Sequence, residues 1–179
     1  MLSVREMEVS DIELIADYFL NADPSYLTSM GVDIKKVPLR KDFNLKLSEQ
    51  LKLPYEQKNF YYIIWMVDKV PVGHSSTNPT VYGDHAFMHL HLWNGSTRRK
   101  GSGTEFVKLT LSYYFNNLKL KKLYCQPYAL NPAPNKTLEK IGFELVEEFT
   151  GVPGAFNFEQ RVKKWEMSVE RFEELGLNG

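Results

Sequence analysis

Two apolar runs rich in aromatic and β-branched residues, Phe60 to Val67 and Val70 to Thr77, are separated only by Asp68 and Lys69. Two residues cannot carry a chain across a sheet; they can only reverse it into the adjacent antiparallel strand. That hairpin fixes the middle of the chain as sheet. Ala86 to Trp93 extends it, with Ala86, Met88, Leu90 and Leu92 on one face and Phe87, His89, His91 and Trp93 on the other, a period of two. The period then changes. Phe106, Val107, Leu109, Leu111, Tyr114 and Phe115 predict a largely buried helix from about Ser102 to Asn117.

The flanks add further elements. Ser3 to Val9 reads as a strand, and Ser10-Asp11 offers N-cap chemistry for a helix from Asp11 to about Asn21. Residues 22–40, with Pro24, Gly31 and Pro38, read as an irregular excursion, followed by a helix from about Asp42 to Leu53 that Pro54 closes. After the central helix come a basic turn and short strand (Lys119 to Tyr128), a short helix (Asn131 to Lys140), and a strand from Gly142-Phe143 to about Thr150. A loop at Gly151 to Gly154 leads into a last strand, Phe158 to Val169. This order predicts a mixed α+β fold with an antiparallel first half. No linker-like segment divides the 179 residues, so one domain over 1–179 is expected.

The formal net charge is zero, so nothing global draws the chain to nucleic acid or to an anionic membrane. Its longest near-apolar run, Phe60 to Val67, is too short to cross a bilayer. The single cysteine, Cys125, excludes an internal disulfide, and the charged start (Arg5, Glu6, Glu8) lacks a signal-type apolar stretch; both place the chain in the reducing cytoplasm.

The cations that matter are local. Arg98-Arg99-Lys100-Gly101-Ser102-Gly103 sits between a strand and a helix. Two glycines one residue apart allow a tight turn with uncovered backbone N–H groups, and the helix start adds partial positive charge. Such a loop holds a phosphate or pyrophosphate. It lacks the Gly-Lys-Ser/Thr ending of an NTP loop, and the third glycine and later acidic residue of a dinucleotide fold are missing.

Arg98-x-x-Gly101-x-Gly103 resembles the acyl-CoA pyrophosphate loop of the GNAT N-acetyltransferases, and Asn131 to Phe143, ending Glu139-Lys140-Ile141-Gly142-Phe143, resembles the same family's second signature. The likeness covers residues 86–168 well and is closest to the branch holding the ribosomal-protein N-terminal acetyltransferases, which also holds small-molecule amine acetyltransferases. The resemblance implies a sheet of about seven strands, mostly antiparallel, with about four helices. Its fourth and fifth strands splay, and CoA lies in the opening, here between Ala86–Trp93 and Lys122–Tyr128. It implies transfer of the acetyl group of acetyl-CoA to a primary amine, on a protein N-terminus or a small molecule, with no metal. A homodimer is compatible with it. The competing reading is a non-catalytic acyl-CoA-binding or regulatory module.

By the same resemblance, backbone N–H groups from Arg98 or Arg99 through Lys100, Gly101, Ser102, Gly103 and Thr104 cradle the pyrophosphate, Thr104 adds its hydroxyl, and the arginines reach the 3′-phosphate. The edge at Leu92–Trp93 pairs with the pantetheine amides. Asn131 holds that arm or the nearby backbone, and Asn135 and Lys136 lie towards the nucleotide. Direct attack on a thioester needs a neutral amine and a proton for the thiolate. The chain departs from the family here: Gln126 stands at the familiar carboxylate position, Leu138 at the familiar tyrosine, and Pro134 where a small residue is common. His89 and His91 are therefore the candidates for proton transfer, His91 being nearer the loop, and Tyr128 for protonating the thiol. Cys125 reads as a core residue. His74 and His85 read as turn-proximal, and the four histidines have no metal-ligand spacing. For the acceptor pocket, Tyr26, Phe43, Tyr55 and Phe156 are the expected walls, and Asp23, Asp33 and Glu159 the expected amine ligands.

Overall fold

The computed structural model describes residues 1–93 and 101–177. The chain runs β1 (Leu2–Glu6), α1 (Asp11–Asn21), α2 (Pro24–Ser29), α3 (Arg40–Lys52), β2 (Tyr61–Val67), β3 (Val70–Val81), β4 (His85–Leu92), α4 (Ser102–Leu118), β5 (Lys122–Cys125), α5 (Pro132–Ile141), β6 (Glu144–Gly151), β7 (Gln160–Ser168) and α6 (Val169–Glu174). The expected hairpin is present. Asp68 and Lys69 both take positive φ, 48° and 67°, the two-residue turn whose twist matches that of the strands it joins.

Several elements differ from expectation. Residues 22–40 are not wholly irregular: the Asp23 side chain accepts from Ser25 N and Tyr26 N, Pro24 takes the first helical position, and α2 follows. Ser10 makes no side-chain cap to α1. Instead the buried Asp11 carboxylate accepts from Glu8 N at 2.8 Å and pairs with both terminal nitrogens of Arg5, at 2.6 and 2.9 Å. The final strand stops at Ser168, whose hydroxyl accepts from Arg171 N and starts α6. Six α-helices, not about four, are thus present among the described residues.

The seven strands form one sheet in the order β1-β2-β3-β4-β5-β7-β6. On one face Ile63, Trp65, Met88 and Leu123 bury against Phe106, Val107, Leu111 and Tyr114 of α4. The Trp65 ring stacks on Phe106 at 5.1 Å, and its indole N–H donates to Thr110 Oγ1 at 2.9 Å. The other face carries Ile12, Ile15, Phe19, Leu27, Phe43 and Leu47 from α1, α2 and α3.

All pairings are antiparallel except β4 with β5, which run parallel and pair only from His85–Met88 to Lys122–Cys125. Beyond Cys125 the chain follows β7: Pro127 O accepts from Lys163 N at 3.2 Å, and Ala129 N donates to Arg161 O at 2.8 Å. Strand β4 meanwhile stays with β3 through Leu92. The two parallel strands therefore part, and a wedge opens in mid-sheet.

Candidate active site

One wall of the wedge is the edge of β4 that, beyond Met88, pairs with no strand among the described residues. Trp93 N donates to Val72 O of β3 at 2.9 Å, and backbone groups alternate sides along a strand, so Leu90 and Leu92 are the residues turned to the opening. Tyr26 Oη lies 3.5 Å from Leu92 O on that side. This corrects the expected edge: Leu92 supplies it with Leu90, while Trp93 is committed to β3 and its indole N–H to His74 Nδ1 at 2.8 Å.

The start of α4 forms the floor. Gly101, at φ +92°, occupies the left-handed region that L side chains avoid, and turns the chain into the helix. A Cβ on Gly103 would meet nothing nearer than Thr137 Oγ1 at 4.0 Å, so the cavity lies directly over it. Leu90, His91, Leu92, Gly101 to Thr104, Asn131, Pro134 and Thr137 enclose about 430 Å³. The first turn of a helix lacks intrahelical acceptors for its N–H groups and carries the positive end of the dipole, so this floor suits an anion. Arg98, Arg99 and Lys100 lie outside the described residues.

The opposite wall is α5. Asn131 stands at its N-cap and lines the cavity, making no side-chain cap bond. Asn135 faces inward instead of towards a ligand: Oδ1 accepts from Trp165 Nε1 at 2.9 Å, and Nδ2 donates to Asn131 O at 2.7 Å and Tyr128 O at 3.1 Å. All of its polar atoms are engaged, so it braces the turn before α5. Lys136 is exposed and outside the cavity wall. Thr137, which sequence reasoning missed, lines it. Its signal was the helical spacing, since Pro134 and Thr137 fall three apart on one face.

His91 borders three cavities, of about 430, 200 and 90 Å³, and so marks where they meet. Its Nδ1 lies 3.3 Å from Tyr18 Oη. Burial, with His89 nearby, pushes its pKa down to about 3. His89 places Nε2 2.9 Å from Asn78 O; a carbonyl only accepts, so the proton is on Nε2 and Nδ1 is bare. Burial lowers its pKa too. Both rings are partly exposed to the cavities, yet their lowered proton affinity makes them neutral hydrogen-bonding groups at neutral pH rather than readily titrating bases.

His74 is buried in mid-strand, not near a turn, and stacks on His91 with ring centroids 4.9 Å apart. Because the Trp93 indole can only donate, His74 Nδ1 accepts and its proton is on Nε2. Desolvation holds its pKa well below the ordinary value. Tyr128, Cys125, Gln126, His89 and His91 share the cavity of about 90 Å³, at the foot of the wedge. Cys125 is 4% exposed and burial pushes its thiol up to about 12, so it is no nucleophile. Leu138 is fully buried in the core.

The cavity of about 200 Å³ lies beneath α1 and α3, on the face away from α4. Phe43 and Phe156 line it as expected. Tyr26 belongs to the larger cavity, and Tyr55 packs on Tyr61 and donates to Glu6 Oε1. The expected carboxylates are elsewhere: Asp23 and Asp33 cap short helices, and Glu159 is exposed and lines none of these cavities.

A bare strand edge, a helix N-terminus and a wedge between parallel strands define an acyl-CoA N-acyltransferase fold. The family model for the acetyltransferase (GNAT) domain matches residues 2–144, and the chain belongs to that family. No curated protein sequence matches it. Among solved structures it is similar to spermidine N-acetyltransferase from Vibrio cholerae in complex with CoA and spermine, with TM-score 0.77, 15% identity, and coverage of 96% of this chain and 98% of that chain. RimL, a ribosomal-protein α-N-acetyltransferase in complex with CoA, gives TM-score 0.76 at 12% identity, covering 95% of both chains. An aminoglycoside acetyltransferase in complex with CoA and kanamycin gives 0.71 at 18% identity, covering 97% and 98%. No helix among the described residues is long and apolar enough to cross a membrane.

Proposed function

We propose that this protein transfers the acetyl group of acetyl-CoA to a primary amine by direct attack on the thioester. The observation that carries this reading is the bare Leu90–Leu92 edge running to the first turn of α4, around a cavity of about 430 Å³. Pantetheine amides would extend the β4 ladder, and pyrophosphate would rest on the Gly101–Thr104 backbone, aided by the Thr104 hydroxyl and by Arg98, Arg99 and Lys100. Asn131 would hold the arm from the α5 side. No metal enters the scheme, and the setting is the cytoplasm.

The thioester then falls near His91, Tyr128 and Gln126. The neutral amine attacks the carbonyl carbon, the C–N bond forms, and collapse breaks the C–S bond. The proton lost by nitrogen ends on sulfur, with the Tyr128 hydroxyl or water as the relay. His91 and His89, being neutral, hydrogen-bond and orient rather than act as strong bases. An amine near pKa 8 is already partly neutral at pH 7, so it needs no stronger base.

Gly103→Leu tests the reading. The new side chain meets open cavity and replaces a glycine in a helix, so the fold is undisturbed. Isothermal titration should show CoA affinity falling at least tenfold while Tm holds or rises. Unchanged affinity would remove the α4 floor from the coenzyme site. Acetyl-CoA-dependent thiol release with amines separates the enzyme from a module that only binds.

A further inference from the structure

The second cavity is built unlike a site for a polycation. Phe19 and Phe43 stack with centroids 5.6 Å apart, and Phe156 stands edge-on to both, at 5.8 and 6.2 Å. Phe60 and Tyr62 add two more rings. Among the described residues, the charged side chains in its wall are Asp42 and Lys46, one turn apart on α3 and opposite in sign, so their net charge is zero. Its remaining polar groups, His74, Ser76, Asn78, His89, His91 and Asn157, carry no charge of either sign at neutral pH. Several ammonium groups placed there would each lose hydration with a single carboxylate, Asp42, to share, and Lys46 stands beside it.

Size narrows the occupant further. An apolar cavity of roughly 150 Å³ accommodates a benzene ring, and this one measures about 200 Å³. One ring with a short linker fits. Position supplies the direction: the cavity shares His89, His91 and Asn157 with the small cavity at the foot of the wedge, where Tyr128 and Gln126 lie. A ring lying against the Phe19, Phe43 and Phe156 cluster would thus leave its linker pointing past the histidines to the thioester.

Resting on the transferase reading above, we propose that the acceptor is a primary amine carried on one aromatic-sized apolar group, which this cavity receives. Two sources share that chemistry, a free arylalkylamine and the first residue of a peptide. The same walls solve the proton problem. Burial disfavours an ammonium, so the amine sheds its proton to water on entry and reaches the carbonyl neutral. The C–N bond then forms, the C–S bond breaks, and the second nitrogen proton passes to sulfur.

Thiol release from acetyl-CoA by wild-type protein tests this with 2-phenylethylamine, a peptide beginning with Phe, the same peptide beginning with Gly, and spermine. The expected result is a kcat/KM at least thirtyfold higher for one or both aromatic amines than for the Gly peptide or spermine, and which aromatic amine wins identifies the source. 2-Phenylethanol, which has the ring but no amine, should compete with the acceptor and not with acetyl-CoA. Phe43→Leu, milder than an alanine truncation, should lower kcat/KM for the aromatic amine at least fivefold with the KM for acetyl-CoA unchanged. Equal or better turnover of spermine or the Gly peptide overturns the acceptor proposal and leaves the transferase standing. Tight CoA binding without turnover of any amine overturns the transferase reading, and binding of 2-phenylethylamine to the CoA complex, followed by NMR, then decides for or against the cavity.

Discussion

Asn135→Ala should weaken the fold and leave the coenzyme site largely intact. In the native protein the Asn135 amide accepts from the buried Trp165 indole and donates to the Tyr128 and Asn131 carbonyls. Truncation orphans the indole N–H, at a cost of about 1–3 kcal/mol. Each carbonyl loses a bond worth roughly 0.5–1 kcal/mol, its position near the turn leaving it partly served by water. The sum is on the order of 3 kcal/mol. For a chain of 179 residues, each kcal/mol lowers Tm by roughly 2–4 °C, so a fall of about 6–12 °C is expected. Differential scanning calorimetry reads the shift, and titration calorimetry at a temperature where the variant is folded reads CoA affinity, expected within about threefold of wild type. A Tm shift below about 2 °C together with a tenfold loss of CoA affinity would refute the bracing role and return Asn135 to the ligand. Asn135→Asp keeps the acceptor for Trp165 and loses the two donated bonds, so its melting point should also fall.

Acid should destabilise the protein in a distinctive window. His74, His89 and His91 are held neutral in the folded state, so below the ordinary pKa near 6.5 the unfolded chain binds more protons, and stability falls as pH drops from 6.5 to 5, above the carboxylate range. A ring still neutral at pH 5 forfeits ~2 kcal/mol; urea unfolding at pH 7 and pH 5 measures it, His74→Gln should flatten the slope, and a pH-independent midpoint would contradict the buried-neutral assignment. Cys125 should resist iodoacetamide at pH 8 in the native protein and react fully in denaturant, and Cys125→Ala should keep acetyl transfer; rapid native labelling would show the strand opening on that timescale.

The sheet was legible because its signals are short-range: the two-residue turn at Asp68-Lys69 and the alternation through β4 both survive folding. That Gly101, Gly103 and Asn131 line one cavity was legible for the same reason, since they sit at element ends that sequence marks directly. Side-chain direction was harder. Asn135 and Thr137 lie two apart on one helix, and which of them faces the cavity depends on Trp165, thirty residues on. The surroundings of the histidines were hidden for a different reason. Alternation correctly put His89 and His91 on one face, yet whether that face is wet depends on α1 and α3 lying over it, and on Phe156 arriving from the far end of the chain. The short helices α2 and α6 were hidden because their capping side chains, rather than any apolar period, start them.

The parting of β4 from β5 has a consequence for the energetics of the whole sheet. A seven-stranded sheet with every rung in place would leave Leu90 and Leu92 hydrogen-bonded to a neighbour; here those rungs are withheld from the chain itself. The proposed ligand, carrying amides along its length, would complete the ladder, and the last stretch of secondary structure would then be intermolecular. Binding would act as a late folding step: at a hundred times Kd it would add about 2.7 kcal/mol to global stability. Hydrogen exchange should register it first along β4, where the sheet is left unfinished, and in the first turn of α4, whose N–H groups lack intrahelical acceptors.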